Sequence, residues 1–527
     1  MSVASLADNV YITVSTPSPT IAGGNPNLPS AIIGTGSWGA LSAPIPFGTT
    51  ATLYDAIGNI SALETFDLAT YGTLYLQASQ AMGKGGNAYV VRVSDGSDVA
   101  AQIAVKDGQG TPGTVIIFVA ACTGTRGNSG TATLSKSVGW TTNAPIYDLT
   151  LTISGAVAEV FRNIIAYQSG TNGYNSSVFT ANCLAAVNNG QNLGRGKSKY
   201  WVATLPGSPS TYVPVLQTWT VSTNGTDGAS PSTSQLIGTD GLTGRTGIYA
   251  LRSLGVGQLA IAGFTDFTAA GTLAAFAASE STFDVSLSFP QGTSTATALS
   301  TKLTNNVSSI YQAITKNWVQ WYDTSVQQLR YVAPNTIALG VIGARNPQSS
   351  PGNQPAQGLG FIAGTELGQT PVSALEAAEL AQAGIMYVGI MPRSSTLIGF
   401  CNGQNASGIA GQDGVNYTRL TNYLTTSLKA IAGPYVDRLQ GQQANDPLRA
   451  EFKKAIDGFL LSLQQSRAID SFQTICDFTN NTNVTIPAGQ LNATVKVVYL
   501  ATARFININA VVGVGVSISV ANNNTGS

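Results

Sequence analysis

The chain contains no histidine. Ser-His-Asp and Cys-His catalytic pairs, histidine-ligated metals and imidazole pH switches are therefore excluded. Charge is also scarce. Charged residues are 9% of the chain, and 25 Lys+Arg balance 25 Asp+Glu to a formal net charge of zero. With no long basic run, the chain lacks the phosphate-neutralising surplus that drives nucleic-acid binding, and no nucleic-acid partner is expected. The four cysteines, Cys122, Cys183, Cys401 and Cys476, are far apart and form no CxxC pair. They read as buried free thiols in a reducing compartment, with no disulfide framework and no zinc site. No apolar run reaches the roughly 18 residues of a membrane span, so no membrane insertion is expected. The opening MSVASLADNV has neither a basic nor an apolar segment of the secretory type, which predicts folding in the cytoplasm.

What is present is a large, neutral, Gly/Ser/Thr/Asn-rich chain. Hydrophobic residues make up 43% of the 527 positions, too many for a disordered polymer. The length predicts roughly two to four domains with a substantial core. A neutral surface gives little repulsion between copies, so association is favoured.

Residues 1–30 read as an arm. Val10, Ile12 and Val14 alternate with polar residues as in a strand, and a Pro/Gly/Asn-rich linker follows at 16–30. Such a strand has no neighbour in sequence and needs a remote partner or another chain. Residues 31–95 read as a compact α/β piece, with strands at 31–34 and 87–94 and a helix over 68–82 stopped by Gly83, Gly85 and Gly86. Residues 96–205 alternate short strands, such as 115–120 and 149–154, with Gly/Thr/Asn turns, and read as an inserted β-rich domain. Helix and strand then alternate: a helix over 243–254, a strand at 258–262, a helix capped near Asp266 and running to 279, and a strand at 283–289. A helix over 294–315, a strand at 318–322, and a helix starting at Pro371 that feeds a strand at 385–391 complete the series. This order predicts a mixed sheet with helices packed on it. From 413 onward, Leu420, Leu424, Ser427 and Ile431 share a helical face ended by Gly433-Pro434. Asp446 before Pro447 is an N-cap followed by a first-turn proline, opening a helix with an apolar stripe from Phe452 to Leu463. A strand at 493–500 precedes a long terminal one, in which Ile506, Ile508, Ala510, Val512, Val514, Val516, Ile518 and Val520 all fall on one face. A strand so apolar is an aggregation hazard on an open edge, so it is expected to find a partner within the chain or in another one.

Chemistry is hard to find. Gly196-Lys197-Ser198 lacks the glycine that a P-loop needs five positions earlier, where Gln191 stands, and a strand pattern follows instead of a helix. Gly255-Val256-Gly257 precedes a strand instead of following one, so the dinucleotide fingerprint fails. Asp240, Asp266, Asp284 and Asp323 are scattered and read as caps and turn residues. No catalytic residue, cofactor site or metal site is assigned. One basic cluster stands out: Arg449, Lys453 and Lys454 on the helix that starts at Pro447, with Arg449 and Lys453 on one face. It is either a solvated helix face or a docking face for an acidic partner.

Several segments, taken in order, resemble one family. Residues 29–48, with SAIIGTGSWGALSAPIPFG, come first, then KGGNAYVVRVS at 84–94 and Thr125-Arg126-Gly127-Asn128. DGLTGRTGIYA at 240–250 precedes the helix–strand alternation. WVQWYD at 318–323 leads to Ala344-Arg345. Residues 416–432, 447–463 and FQTICDFTNNTN at 472–483 close the series. In this order they are similar to the tail sheath proteins of contractile-tailed bacteriophages, a family related to the sheaths of R-type pyocins and contractile injection systems. Where that family often carries Asn-Val-Arg-Arg, this chain has Asn416-Tyr417-Thr418-Arg419, with one arginine.

The resemblance implies a non-enzymatic structural subunit with no cofactor, polymerised as stacked hexameric rings around an inner tube and contracting to drive the tube through a host envelope during genome delivery. It implies a virion tail assembled in the host cytoplasm, with tail tube, baseplate and terminator proteins as partners. It also implies an N-terminal arm at 1–30, a central α/β domain at 31–95 and 206–412, an outward-facing inserted domain at 96–205, and a tube-facing C-terminal domain at 413–527. Val10, Ile12 and Val14, with Val512, Val514, Val516, Ile518 and Val520, would then be inter-subunit strands, and Arg449, Lys453 and Lys454 would dock the tube. The other reading of the residues is a secreted or surface β-rich structural protein of the adhesin or surface-layer kind.

Overall fold

The computed structural model describes the chain except for residues 1–27, 59–67, 82–87, 192–194, 281–283, 324–326, 357–361, 369, 393, 395 and 505–527. In chain order, the first α/β segment holds β1 (Ser30–Gly34), β2 (Pro44–Phe47), α1 (Thr50–Ile57), α2 (Leu68–Ala81) and β3 (Ala88–Arg92). The β-rich segment holds β4 (Gln102–Lys106), β5 (Thr114–Ala120), β6 (Thr131–Lys136), β7 (Ile146–Thr152), β8 (Glu159–Ile165), α3 (Ser176–Asn189), β9 (Trp201–Thr204) and β10 (Thr218–Thr220). The alternating region follows with α4 (Thr233–Ile237), β11 (Gln258–Ile261), α5 (Ala270–Glu280), β12 (Asp284–Ser288), α6 (Thr295–Thr304), β13 (Gln312–Lys316), β14 (Val319–Asp323) and β15 (Gln328–Val332). It continues with α7 (Pro334–Gly343), β16 (Gln354–Pro355), β17 (Ile362–Thr365), α8 (Ala374–Gln382), β18 (Ile385–Ile390) and β19 (Ile398–Phe400). Last come α9 (Val415–Ala432), α10 (Pro447–Gln465), β20 (Ser471–Ile475) and β21 (Thr494–Val498).

One nine-stranded sheet organises the centre, in the order β16-β19-β18-β13-β12-β11-β1-β3-β2. The six strands from β18 to β3 pair in parallel, and the strands at both ends are antiparallel. Parallel strands are stable when both faces are covered, and here they are. Ile32, Val90 and Ala260 point into a core under α2 and α7. Ala31, Ile33, Val91 and Leu259 point into a second core under α5 and α8. This explains why the central strands are apolar on both sides instead of alternating. The sheet ends on proline-bearing strands, β2 with Pro44 and Pro46 and β16 with Pro355. Proline has no N–H to offer, so neither edge readily extends the ladder.

The inserted unit is built of two antiparallel sheets, β4-β5-β9 and β10-β6-β7-β8, with α3 closing a shared core that contains Phe118, Leu149, Phe179 and Trp201. Segment 206–229 belongs with it: β10 pairs with β6, and Thr223 and Thr226 bridge to Gln102 and Val99. A boundary at 205 is therefore too early by about one strand and its turns. Apolar alternation is weak across 206–229, and its pairing is set by distant strands. The outer face of β6, β7 and β10 carries threonines in register. Thr131 bonds Thr152 at 2.6 Å and Thr133 bonds Thr218 at 2.9 Å. Much of the polar surface is thus hydroxyl, which accounts for how a chain with so few charges stays wetted.

Arginines join the insertion to the central sheet. Arg92, at the end of β3 and fully buried, donates to Gly39 O (3.0 Å), Thr123 O (3.0 Å) and Asp98 (3.1 Å). Arg126 lies over the rings of Tyr54 (4.7 Å), Trp38 (5.4 Å) and Tyr200 (5.5 Å). It also donates to the carbonyls of Tyr54, Asp55 and Ser154 at 3.1–3.3 Å. Trp38, Tyr54 and Asp55 come from the central unit, and Ser154 and Tyr200 from the insertion. One guanidinium therefore fills its donor positions from both units at once.

Three expectations are corrected. The helix over 243–254 is only a short 3₁₀ turn at Gly247–Leu251. Gly247 has φ +56°, and its Cα lies so close to the carbonyls of Leu236 and Ile237 that a Cβ would clash at 2.4–2.5 Å. The helix over 294–315 stops at Thr304, because Asn306 turns left-handed (φ +52°) and Gln312–Lys316 becomes a buried central strand. Burial between two neighbouring strands overrides local propensity there. Asp284 and Asp323 are not caps. Asp323 is buried and pairs with Arg330 at 2.8 Å, and Asp284 is 3% exposed at the start of β12.

Asp284 sits beside Gln258 in the sheet register, where α9 seats on the central unit. Burial drives its carboxyl up to about 7, against the opposing pull of Arg419 on α9. Arg419 is itself pushed down to about 10 by burial, opposed by Asp284, and donates to Arg345 O at 2.8 Å. The folded-state value of Asp284 lies above the ordinary 3.8. Its contribution is therefore intact below about pH 4, falls as the pH rises toward about 7, and is lost above that. Asp284→Asn is expected to gain stability relative to the parent as the pH is raised from about 4 to about 8, by on the order of 3–4 kcal/mol. Urea unfolding of both proteins at several pH values checks this; a pH-independent difference would refute it. Arg126→Met is expected to cost about 3 kcal/mol and to split unfolding into two transitions as the insertion uncouples, read by calorimetry.

Candidate functional site

Among the described residues, no group of three or more His, Cys, Asp or Glu is arranged to hold a metal ion, and no helix is long and apolar enough to cross a membrane. The four cysteines are free. Burial pushes the Cys183 thiol far up, and Cys401 and Cys476 up to about 11, so they stay protonated and unreactive. Gly196-Lys197-Ser198 forms the turn between α3 and β9, where the Ser198 hydroxyl bonds the Glu159 carboxylate. The surface that distinguishes this chain lies in its C-terminal unit.

There α9 and α10 pack through Leu420, Leu424, Ile456, Phe459 and Leu460. The apolar stripe of α10 builds this core as its spacing requires. Asp446 caps α10, its Oδ1 accepting from the backbone N–H groups of Leu448 (3.0 Å) and Arg449 (3.3 Å), with Pro447 at the first position. Arg449 does not lie on the surface. It is 1% exposed, donates to Gly441 O (2.9 Å) and Gln443 O, and stacks over Phe478 at 5.4 Å. Helical spacing placed Arg449 and Lys453 together, but the 441–443 loop folds over the first turn and takes the guanidinium. Lys453 is half-buried and Lys454 is exposed, so the accessible charge of the cluster comes from these two lysines.

Beside α10 lies a sheet of two strands, β20 and β21, antiparallel from Ser471↔Val498 to Ile475↔Thr494. Val495 and Val497 face the α9–α10 core and are half-buried, while Thr494, Lys496 and Val498 point outward. Two strands alone are marginal in water. Among the described residues neither outer edge has a partner strand. Val10, Ile12, Val14, Val512, Val514, Val516, Ile518 and Val520 lie outside the described residues.

Both described ends of the chain come out at α9. Leu28 packs against Gly257 and shares a small cavity with Arg419, Asn422 and Tyr423. At the other end, Tyr499 stacks on Tyr417 (5.8 Å, 7° between planes), and Arg504 forms a two-pronged ion pair with Asp413. Sequence reasoning missed Asp413, Tyr417, Tyr499 and Arg504. Nothing local links positions 91 residues apart, and the 493–500 strand pattern gave no sign of where the chain goes next.

No protein-family model matches the sequence. A tail sheath protein of Vibrio phage KVP40 is 28% identical over 218 residues, which is 39% of this chain and 30% of the phage protein. The match thus spans less than a third of that relative's length. The sheath tail protein of Listeria innocua shares the fold at a TM-score of 0.56 with 13% identity, over 91% of this chain and 96% of its own. The helical sheath of the anti-feeding prophage in its contracted state superposes at a TM-score of 0.52 with 13% identity, over 97% of this chain and 99% of its own. Sequence likeness and fold agree: the chain has the fold of the contractile tail sheath proteins, and part of it is similar in sequence to one of them.

Proposed function

We propose that this chain is the structural subunit of a contractile tail sheath. Copies stack as hexameric rings around an inner tube, anchored to a baseplate and closed by a terminator, and the polymer shortens to drive the tube through a cell envelope. The observation that carries this reading is the fold likeness along nearly the whole chain to a helical sheath in its contracted state. The near-neutral composition agrees with a surface that faces its own copies.

In this reading the β20–β21 sheet is incomplete in one copy and is filled by others. The N-terminal strand through Val10, Ile12 and Val14, and the C-terminal strand through Val512, Val514, Val516, Ile518 and Val520, add to its open edges in neighbouring subunits, a case of strand addition. Backbone pairing of this kind survives when the globular parts swing, because the linker from residue 16 up to Leu28, where the chain joins the central unit, acts as a hinge. The metastable extended lattice then releases free energy as its subunit contacts repack. The insertion faces outward and α10 faces the tube, with Lys453 and Lys454 as the docking cations.

Electron microscopy of the purified protein tests the class: hollow cylinders are expected, and flat lattices or adhesive fibres would point to a surface protein instead. Removing residues 1–20 is expected to abolish long cylinders and leave a folded monomer by circular dichroism. Normal cylinders from that variant would end the arm reading. Lys453→Glu with Lys454→Glu is expected to weaken tube co-assembly at least about tenfold in sedimentation, with a steeper effect at low salt. Unchanged co-assembly would leave these lysines as a solvated face.

A further inference from the structure

The six residues that precede the C-terminal arm run along α9 in the opposite direction to the helix. The Tyr499 hydroxyl pairs with Thr421 Oγ1 at 2.9 Å, and its ring stacks on Tyr417. The Tyr417 hydroxyl donates to Leu500 O (3.4 Å) and accepts from Thr502 N–H (3.1 Å). Asn416 Nδ2 reaches Thr502 Oγ1 at 3.5 Å. Arg504 then closes on Asp413, with Nη2 to Oδ1 at 2.8 Å and Nη1 on Oδ2. The contacts descend the helix in order, 421, 417, 416, 413, as the chain ascends. The lengths are compatible: from Thr421 back to Val415 the helix rises about 9 Å, two more residues reach Asp413 just before it, and five extended steps cover about 16 Å.

Beyond Tyr499, the seam is polar and lies at the surface. Residues 500, 501, 503 and 504 are exposed. The seam's Tyr499 ring packs against the α9–α10 core, and the contacts beyond it hold the backbone to α9 as far as Arg504. The other end of the chain is held on the opposite side of the same helix. Leu28 lines a small cavity with Arg419 and Tyr423, two positions on from Tyr417 and Thr421, or about 200° around the axis.

We propose that residues 499–504 are a strap that anchors the root of the C-terminal arm to α9, with the Asp413–Arg504 pair as its clasp, and that α9 is the strut linking the two arm roots. A pull on one arm passes through one helix to the other arm, and the globular units are spared the load. This rests on the arm reading above for its purpose, but the anchor itself is a property of the single chain.

The test uses the full-length protein and two readouts. In unassembled protein, hydrogen exchange of residues 500–504 is expected to speed up at least about tenfold in Arg504→Ala, while the melting temperature moves by less than about 3 °C. In assembly, Arg504→Ala and Arg504→Glu are expected to raise the concentration needed for cylinders at least about tenfold. Arg504→Lys recovers part of this, since it keeps the charge and loses the fork. Asp413→Asn combined with Arg504→Ala is expected to be no worse than either alone, the signature of a coupled pair. Unchanged exchange in Arg504→Ala overturns the anchor. Faster exchange with wild-type assembly overturns its role in the arm. If the parent protein forms no cylinders, the sheath reading fails and the exchange experiment alone decides the anchor.

Discussion

Unsatisfied backbone at sheet edges is the constraint from which the rest of this structure follows. A nine-stranded sheet exposes two edges, and an open edge invites other chains. Here the large sheet ends on short antiparallel strands that carry Pro44, Pro46 and Pro355, so it is finished within one molecule. The small sheet of β20 and β21 is not. Its strands are of ordinary length, carry no proline and have no further partner among the described residues. One sheet is closed and one is open, and the open one packs on the α9–α10 pair. That asymmetry turns a folded domain into a candidate link in a polymer.

Several of the few charges are used inside. Arg92, Arg126, Arg330, Arg419 and Arg449 are all buried, and Arg92, Arg126 and Arg419 hold carbonyls or rings from segments far apart in sequence. A guanidinium suits this work because it offers five donors in a plane and stays charged when buried. The Arg126 cluster ties insertion to centre, Arg419 seats α9, and Arg449 pins the loop before α10. These arginines carry internal rigidity, and in the proposed sheath the attachment between copies falls to backbone pairing and uncharged surface.

Much of the fold was legible in the sequence. Five strands of the large sheet, β1, β3, β11, β12 and β18, stood out as short apolar runs, the Asp446-Pro447 signal marked the start of α10, and the stripe from Phe452 to Leu463 marked its buried face. These are local signals, read from spacing and chain stereochemistry. The failures share one cause. The helix expected over 294–315 is cut short because Gln312–Lys316 is claimed by strands on both sides. Arg449 is internal because a loop folds over it. Asp284 is buried because α9 seats above it.

Composition and period, then, determined what kind of molecule this is: no histidine chemistry, low charge, a mixed α/β body and a β-rich insertion. Only the tertiary structure decided which sheet is left open, which basic residues reach solvent, and that Arg504 meets Asp413. Local patterns report what each segment can bury. Which distant segment completes its hydrogen bonds depends on how the layers pack, and a stretch of sequence read alone carries no record of that.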